Sequence, residues 1–375
     1  MKLPGTFCEI SGIPEHIQSM ENITPLQLFR LFYTEDLLEI ISFQTNLYAA
    51  QTSKNYKPTT PEEIDVFLAL NLVVGIKKLP SYKDYWASAP DFMPLNRFGW
   101  LLNHIHLNDN SLIPSRENPN FDKLYKIRPL LNIIQRNFRA NYKRSEKVAV
   151  DESMIKFKGR SSLKQYMPKK PIKRGYKVWM KCAEPGYCLD FQLYTSKQEH
   201  NVEKIWIDLL NDKILACGTV NATRKHLPTL KEDTKLERGE HDYRVSDTNV
   251  TVMKWKDKRV VHLLSNYHDS RNVSTVIRKE RNGDSNQIAC PELVKDYNAN
   301  MNFVDKFAQL KSCYAIERKS RKWWHRIFFN FLDCALVNSF VIYKDLQKLD
   351  HTGLSRLTIK EFRLLSTRAF LPLLL

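Results

Sequence analysis

Apolar positions recur at helical spacing through the first third of the chain and at strand spacing through its middle. Thr24-Pro25 reads as a helix start, an N-cap followed by proline at the first helical position, where the missing N–H costs nothing. Leu26, Phe29, Leu31, Phe32, Leu37, Leu38, Ile40, Ile41 and Phe43 then carry one apolar stripe to about Gln51. Thr60-Pro61-Glu62-Glu63 repeats the signal and opens a helix from Ile64 to Val74, closed by Gly75. Leu79-Pro80-Ser81 leads a third segment with Tyr82, Tyr85 and Trp86, and Arg97 to Leu107 makes another amphipathic helix. Asp122 to Tyr142 is a basic helical segment broken near Pro129.

From Lys147 the period drops to two. Val148, Val150, Met154 and Phe157 mark a first strand, and Tyr176–Cys182 and Cys188–Tyr194 flank a turn at Glu184-Pro185-Gly186. Asn201 to Leu210 is predicted as a short helix and Lys213 to Val220 as a fourth strand. A polar loop from Asn221 to about Asn249 precedes a hairpin, Val250–Trp255 and Arg259–Ser265, turning at Lys256-Asp257. A basic loop follows from Arg271 to Arg281. Helical spacing returns at Cys290-Pro291-Glu292 and runs through Lys322 to Leu349. The pattern predicts a mixed α+β fold: a tail (1–23), a helical region (24–145), a strand-rich core (146–265) with an inserted charged loop (221–249), a second helical region (266–349) and a tail (350–375).

Composition narrows the classes. With 43% hydrophobic and 26% charged residues among 375, the chain reads as globular, and no run reads as long enough to span a membrane. The N-terminus lacks the apolar core of a secretory signal. Seven scattered cysteines without a C-x-x-C pair predict a reducing, intracellular compartment, with neither a disulfide scaffold nor a zinc module. His104 and His106 lie two apart, on different faces of a helix, so they read as structural rather than as a metal pair. The formal net charge of +17, concentrated beyond the first sixty residues, points to a polyanionic partner; the alternative is a soluble basic protein without one. The basic charges of Asp122–Tyr142 fit a solvated helix face and a DNA channel equally.

The densest chemistry lies in residues 148–177. A short apolar alternation delivers Asp151 and Glu152 to a strand end, where a carboxylate is a natural metal ligand. Lys156, Lys158, Arg160, Lys164, Lys169, Lys170, Lys173, Arg174 and Lys177 follow, with Phe157, Tyr166 and Tyr176 among them, a natural phosphate track. Together they suggest metal-dependent chemistry on a nucleic acid.

Long co-linear blocks from Thr24 to Leu346 resemble the piggyBac-type transposase family: YTEDLLEIISFQTNLYA, LPSYKDYW, LNHIHLNDN, DKLYKIRPLL, VDESMIKFKGRSSLKQYMPKKPIKRGYKVW, ACGTVNATRKHLP, KDYNANMNFVD and SCYAIERKSRKWWHRIFFNFLDCALVNSFVIYK. The resemblance implies an RNase H-like catalytic core, with residues 24–145 as a helical region for DNA binding and dimerisation. It also implies an acidic triad holding two divalent metals, Mg²⁺ or Mn²⁺, at a scissile phosphate. The family's first catalytic aspartate falls on Asp151, and a later one falls on Asp305.

Three departures qualify that expectation. The family's second aspartate, in an Asp-Asn-Phe motif at a strand end, has no counterpart in KQEHNVEKIWIDLLNDKIL; Asp208 and Asp212 lie there in a helical context and do not match it. The core is therefore expected to lack one central strand, leaving the strand that bears Asp151 with an open edge unless Ile214–Val220 moves beside it. Around Asp305, Asn302-Phe303 replaces the family's Gly-Gly, and Ala308 stands where another acidic residue is usual. The Cys/His-rich zinc module of many members is not found after Cys313, so no zinc is expected. The favoured reading is a transposable element-derived, DNA-binding protein with impaired catalysis, resident in the nucleus and dimeric if it follows the family. It would act on neither membrane nor small molecule. The alternatives are an active cut-and-paste transposase and a decayed or mis-spliced copy. The basic runs Lys169–Arg174 and Arg318–Lys322 read as phosphate contacts, solvated faces or nuclear import signals.

Overall fold

A computed structural model describes residues 11–52, 55–87, 93–195, 209, 211–320, 322–349 and 354–368. The chain separates into two compact units, Glu9–Ser196 with Phe303–Leu375, and Lys197–Asn302 with the N-terminal end. The segment 146–265, read from the sequence as one core, contributes to both.

The first unit begins with helices whose starts follow the N-cap logic. In α1 (Glu15–Gln18) no side chain caps the start, whereas α2 (Pro25–Arg30) opens on a full capping box: the Thr24 side chain accepts from the Gln27 N–H and the Gln27 side chain accepts from the Thr24 N–H. The apolar stripe expected to run unbroken breaks after α2, and α3 (Glu35–Thr52) resumes it. Thr60 caps α4 (Pro61–Val74), which ends at Gly75 as predicted. After a 3₁₀ turn at Tyr82–Ala87 come α5 (Leu95–His104) and α6 (Arg128–Ala140). Pro129 does not break the last of these. It occupies the first turn, where a proline ring is tolerated.

The sheet of this unit is antiparallel. β1 (Val148–Lys156) and β4 (Tyr187–Leu193) flank β3 (Arg174–Ala183), and the short β2 (Gln165–Tyr166) pairs with β3 at Gly175 and Arg174, on the edge opposite β1 and beyond the stretch paired with β4. Cys182 and Cys188 are register partners beside the hairpin turn, both buried and unbridged, as the spacing predicted. At Gly175 an added Cβ would meet the Ile155 carbonyl at 1.9 Å, so only glycine lets β3 approach β1 there. Among the described residues nothing pairs with β1's other edge, and Cys217–Thr219, the strand that might have moved beside it, lies in the second unit.

In the second unit β5 (Cys217–Thr219), β8 (Val260–Ser265), β7 (Thr251–Lys256) and β6 (His241–Val245) form an antiparallel sheet in that order, and β9 (Val273–Lys279) pairs with β10 (Ser285–Pro291). Two sequence readings are corrected here. The loop 221–249 contains β6, and the basic stretch Arg271–Arg281 is mostly β9. Met253, Trp255, Leu263, Cys290, Leu293 and Val294 form the unit's main core beneath α7 (Glu292–Asn300). The helix predicted at 201–210 lies largely outside the described residues.

The chain then returns to the first unit through α8 (Phe303–Cys313), α9 (His325–Lys348) and α10 (Ile359–Arg368). Helix α9 is long and apolar enough to cross a membrane by length and composition, which corrects the reading that no run reaches that length. It is instead the axis of the core: 89% of its apolar window is buried, and it packs on α2, α6, α8, β1 and β4. Its charged Asp333 is matched inside by Arg363 of α10 at 2.7 Å and by the Ile316 N–H at 2.8 Å.

Candidate nucleic-acid interface and acidic site

Strand alternation fixes which way Asp151 faces. Ala149, Asp151 and Ile155 share one face of β1, and their partners on β3, Cys182, Met180 and Tyr176, are all buried. Helix α8 packs against β1 and β3 and carries Asp305 in its first turn, exposed. Asp151 and Asp305 thus lie on neighbouring elements of one unit.

The Asp151 side chain is 44% exposed, and its Oδ1 accepts the Glu152 N–H at 2.6 Å and faces the Lys170 ammonium at 3.8 Å. The Glu152 carboxylate is bound to Lys177. Among the described residues, no group of three His, Cys, Asp or Glu ligands includes Asp151, Glu152 or Asp305. In-line phosphoryl chemistry needs two ions a few ångströms apart, held by several carboxylates. Asp208 lies outside the described residues.

The basic stretch divides into free and engaged charges. Lys158, Arg160, Lys169 and Lys173 are exposed, and among the described residues no carboxylate pairs with them. Lys156 is exposed and 3.9 Å from Glu317. Arg174 stacks over the Tyr166 ring at 5.3 Å, a planar cation on an exposed aromatic. Lys164 reaches the Gly159 carbonyl at 2.8 Å. Lys177, only 14% exposed, is pinned between Glu152 and the Trp179 ring, 4.2 Å away.

In two further basic segments some of the cations have partners within the fold. On and beside α6, Arg128 pairs with Asp122 at 2.6 Å and Arg139 with Asp190 at 2.6 Å, leaving Arg136 exposed. Of the run Arg318–Lys322, Arg318 is largely buried over Phe98, at 4.9 Å, and Tyr82, and desolvation lowers its pKa to about 10. Burial likewise lowers Lys322 to about 8, and its ammonium donates to the Asn103 carbonyl. Those two residues are packing groups, which the alternation of charge along the sequence did not reveal. His104 and His106 are structural, as read: each Nδ1 meets a backbone carbonyl, of Trp100 and His104 respectively, and His106 stacks on Tyr48 at 3.5 Å.

A family model described as Transposase IS4 matches residues 24–205 and 201–340, which sets the class as a transposase domain. PiggyBac transposable element-derived protein 2 of Homo sapiens is 25% identical over 381 residues, covering 88% of this chain and 63% of that protein. PiggyBac transposable element-derived protein 3 of Homo sapiens is 24% identical over 369 residues, covering 86% and 61%. The chain therefore spans a little over three-fifths of the length of either relative. A solved piggyBac transposase, in a synaptic complex with hairpin DNA, superposes with a TM-score of 0.79 at 20% identity, over 96% of this chain and 82% of that one. The chain belongs to the piggyBac-type transposase family.

Proposed function

We propose that this chain is a transposable element-derived protein that binds DNA through the ribbon between β1 and β3 and no longer cleaves it. The observation that carries the reading is the set of unpaired, exposed cations Lys158, Arg160, Lys169 and Lys173, with Arg174 on Tyr166, in a member of a transposase family. A solvent-facing basic track with an interleaved aromatic suits a phosphate backbone and carries no base-reading geometry of its own. Impaired catalysis is supported by the absence of an Asp-Asn-Phe motif between Thr195 and Cys217, and by Asp151 facing Lys170 rather than further carboxylates. An RNase H-like relationship is supported by β1, β3 and β4, an antiparallel trio with the inherited aspartate on an outer strand. Nuclear residence and a homodimer belong to the same proposal, and imaging of the tagged chain and sedimentation of the purified protein check them.

Asp151→Asn separates binding from cleavage. The substitution releases Lys170 from its 3.8 Å carboxylate neighbour, so DNA affinity is expected to stay the same or rise. Neither wild type nor variant is expected to nick DNA carrying the parent element's ends in Mg²⁺ or Mn²⁺. Nicking by the wild type that Asp151→Asn abolishes would show a working metal centre and overturn the proposal.

A further inference from the structure

Three residues far apart in sequence meet in the second unit: Cys217 at the start of β5, His268 just past β8 and Asp296 on α7. One thiol sulfur, one imidazole nitrogen and one carboxylate oxygen lie within 4.8 Å of one another. From this geometry we infer a site for a single zinc-like transition-metal ion, distinct from the acidic residues of the first unit.

The ligands are aimed by a surrounding set of hydrogen bonds. Cys217 and Ser265 are cross-strand partners in β5 and β8, which fixes the sulfur beside the Ser265 side chain. The Ser265 hydroxyl contacts His268 Nδ1 at 2.9 Å, leaving Nε2 directed toward Asp296 Oδ2 at 3.5 Å. In the tautomer that donates Nδ1–H to Ser265, the Nε2 lone pair would face the centre of the group and be open to an ion. Behind Asp296, the Tyr267 hydroxyl donates to Oδ2 at 2.5 Å and the Asn300 amide to Oδ1 at 3.0 Å. Partners of this kind orient metal ligands and raise their basicity.

The donor types choose the ion. Thiolate and imidazole favour Zn²⁺ and disfavour Mg²⁺, which takes oxygen ligands. Tetrahedral ligands about 2.0–2.3 Å from zinc stand about 3.3–3.8 Å apart, so closing the group needs side-chain movement of about 1 Å. Binding releases the thiol proton, and three protein ligands leave a fourth position for water. The same residues do not make a nucleophilic relay. A Cys–His–Asp relay needs one imidazole nitrogen for sulfur and the other for carboxylate, whereas here Nδ1 is taken by Ser265. The ion would instead tie β5, the turn after β8 and α7 together.

Titration of the reduced, metal-free full chain with Co²⁺ tests the site. One equivalent is expected to give an intense tetrahedral spectrum with a thiolate-to-metal charge-transfer band, displaced by Zn²⁺ and untouched by excess Mg²⁺. Cys217→Ser should lose the charge-transfer band. His268→Gln should weaken binding at least about 10-fold, while Cys313→Ser, at an exposed cysteine outside the group, should bind as wild type. Alkylation of the wild-type chain gives a readout independent of variant folding: Zn²⁺ should protect Cys217 and leave Cys313 reactive. Absence of the band, or equal labelling of Cys217 with and without Zn²⁺, overturns the inference.

Discussion

At the scale of single residues, two histidines make the first unit sensitive to acid. Burial, with Lys322, His106 and Arg318 nearby, lowers His325 to about 3, and burial also lowers His106 to about 4. His325 lies between Trp324 and Phe329, with Nδ1 on the Ser320 hydroxyl and no partner for Nε2, so a proton there has no anion to meet. The unfolded chain takes up protons near pH 6.5, before the folded one does. The stability tied to each neutral ring is therefore complete above about pH 6.5 and declines as the pH falls toward the folded value. Each ring contributes a slope of about 1.4 kcal/mol per pH unit within that window. Replacing His325 with Phe should remove about one such slope from urea-unfolding free energies measured between about pH 6 and 4.5. Equal slopes in the two proteins would mean that His325 is not held neutral.

At the scale of elements, β1 presents an edge unpaired among the described residues, with Val150 62% and Val148 36% exposed beside it. An open apolar edge is a template for pairing with another chain. Val150 stands opposite Lys181 in the β1–β3 register, so Val150→Glu adds a cross-strand opposite charge without removing buried area. Light scattering should show slower aggregation of the variant, with a change in unfolding free energy within about 0.5 kcal/mol. Unchanged aggregation would mean that the edge is protected in solution.

What was legible in the sequence follows from how local each signal is. Thr24-Pro25 and Thr60-Pro61 announced their helices because a cap is a contact between residues three apart. The β3–β4 and β7–β8 hairpins showed through apolar runs around short turns. The β9–β10 hairpin was missed because Val273–Lys279 alternates exposed with half-buried positions and has no continuous apolar face. Its usable signal was Asn282-Gly283, where Gly283 takes φ +92°. Asp151 and the free lysines could be read from one stretch. The Cys217–His268–Asp296 group could not, because its members stand 51 and 28 residues apart and meet only where β5, the turn after β8 and α7 come together. Nor could the burial of Arg318 and Lys322, which depends on α5 and the aromatic residues around it.

At the scale of the whole molecule, the net charge of +17 favours polyanions in general. Under the proposed function, DNA affinity is concentrated in the β1–β3 ribbon and does not depend on cleavage. The most direct test is the salt dependence of DNA binding by the wild-type chain and by one in which Lys169, Lys170, Lys173 and Arg174 are all replaced by Gln. If each contacts a phosphate, the plot of log K against log salt should be shallower by about 3–4 in the variant, since each neutralised phosphate contributes about 0.9 to the slope. Equal slopes and equal affinities in the two proteins would contradict the account.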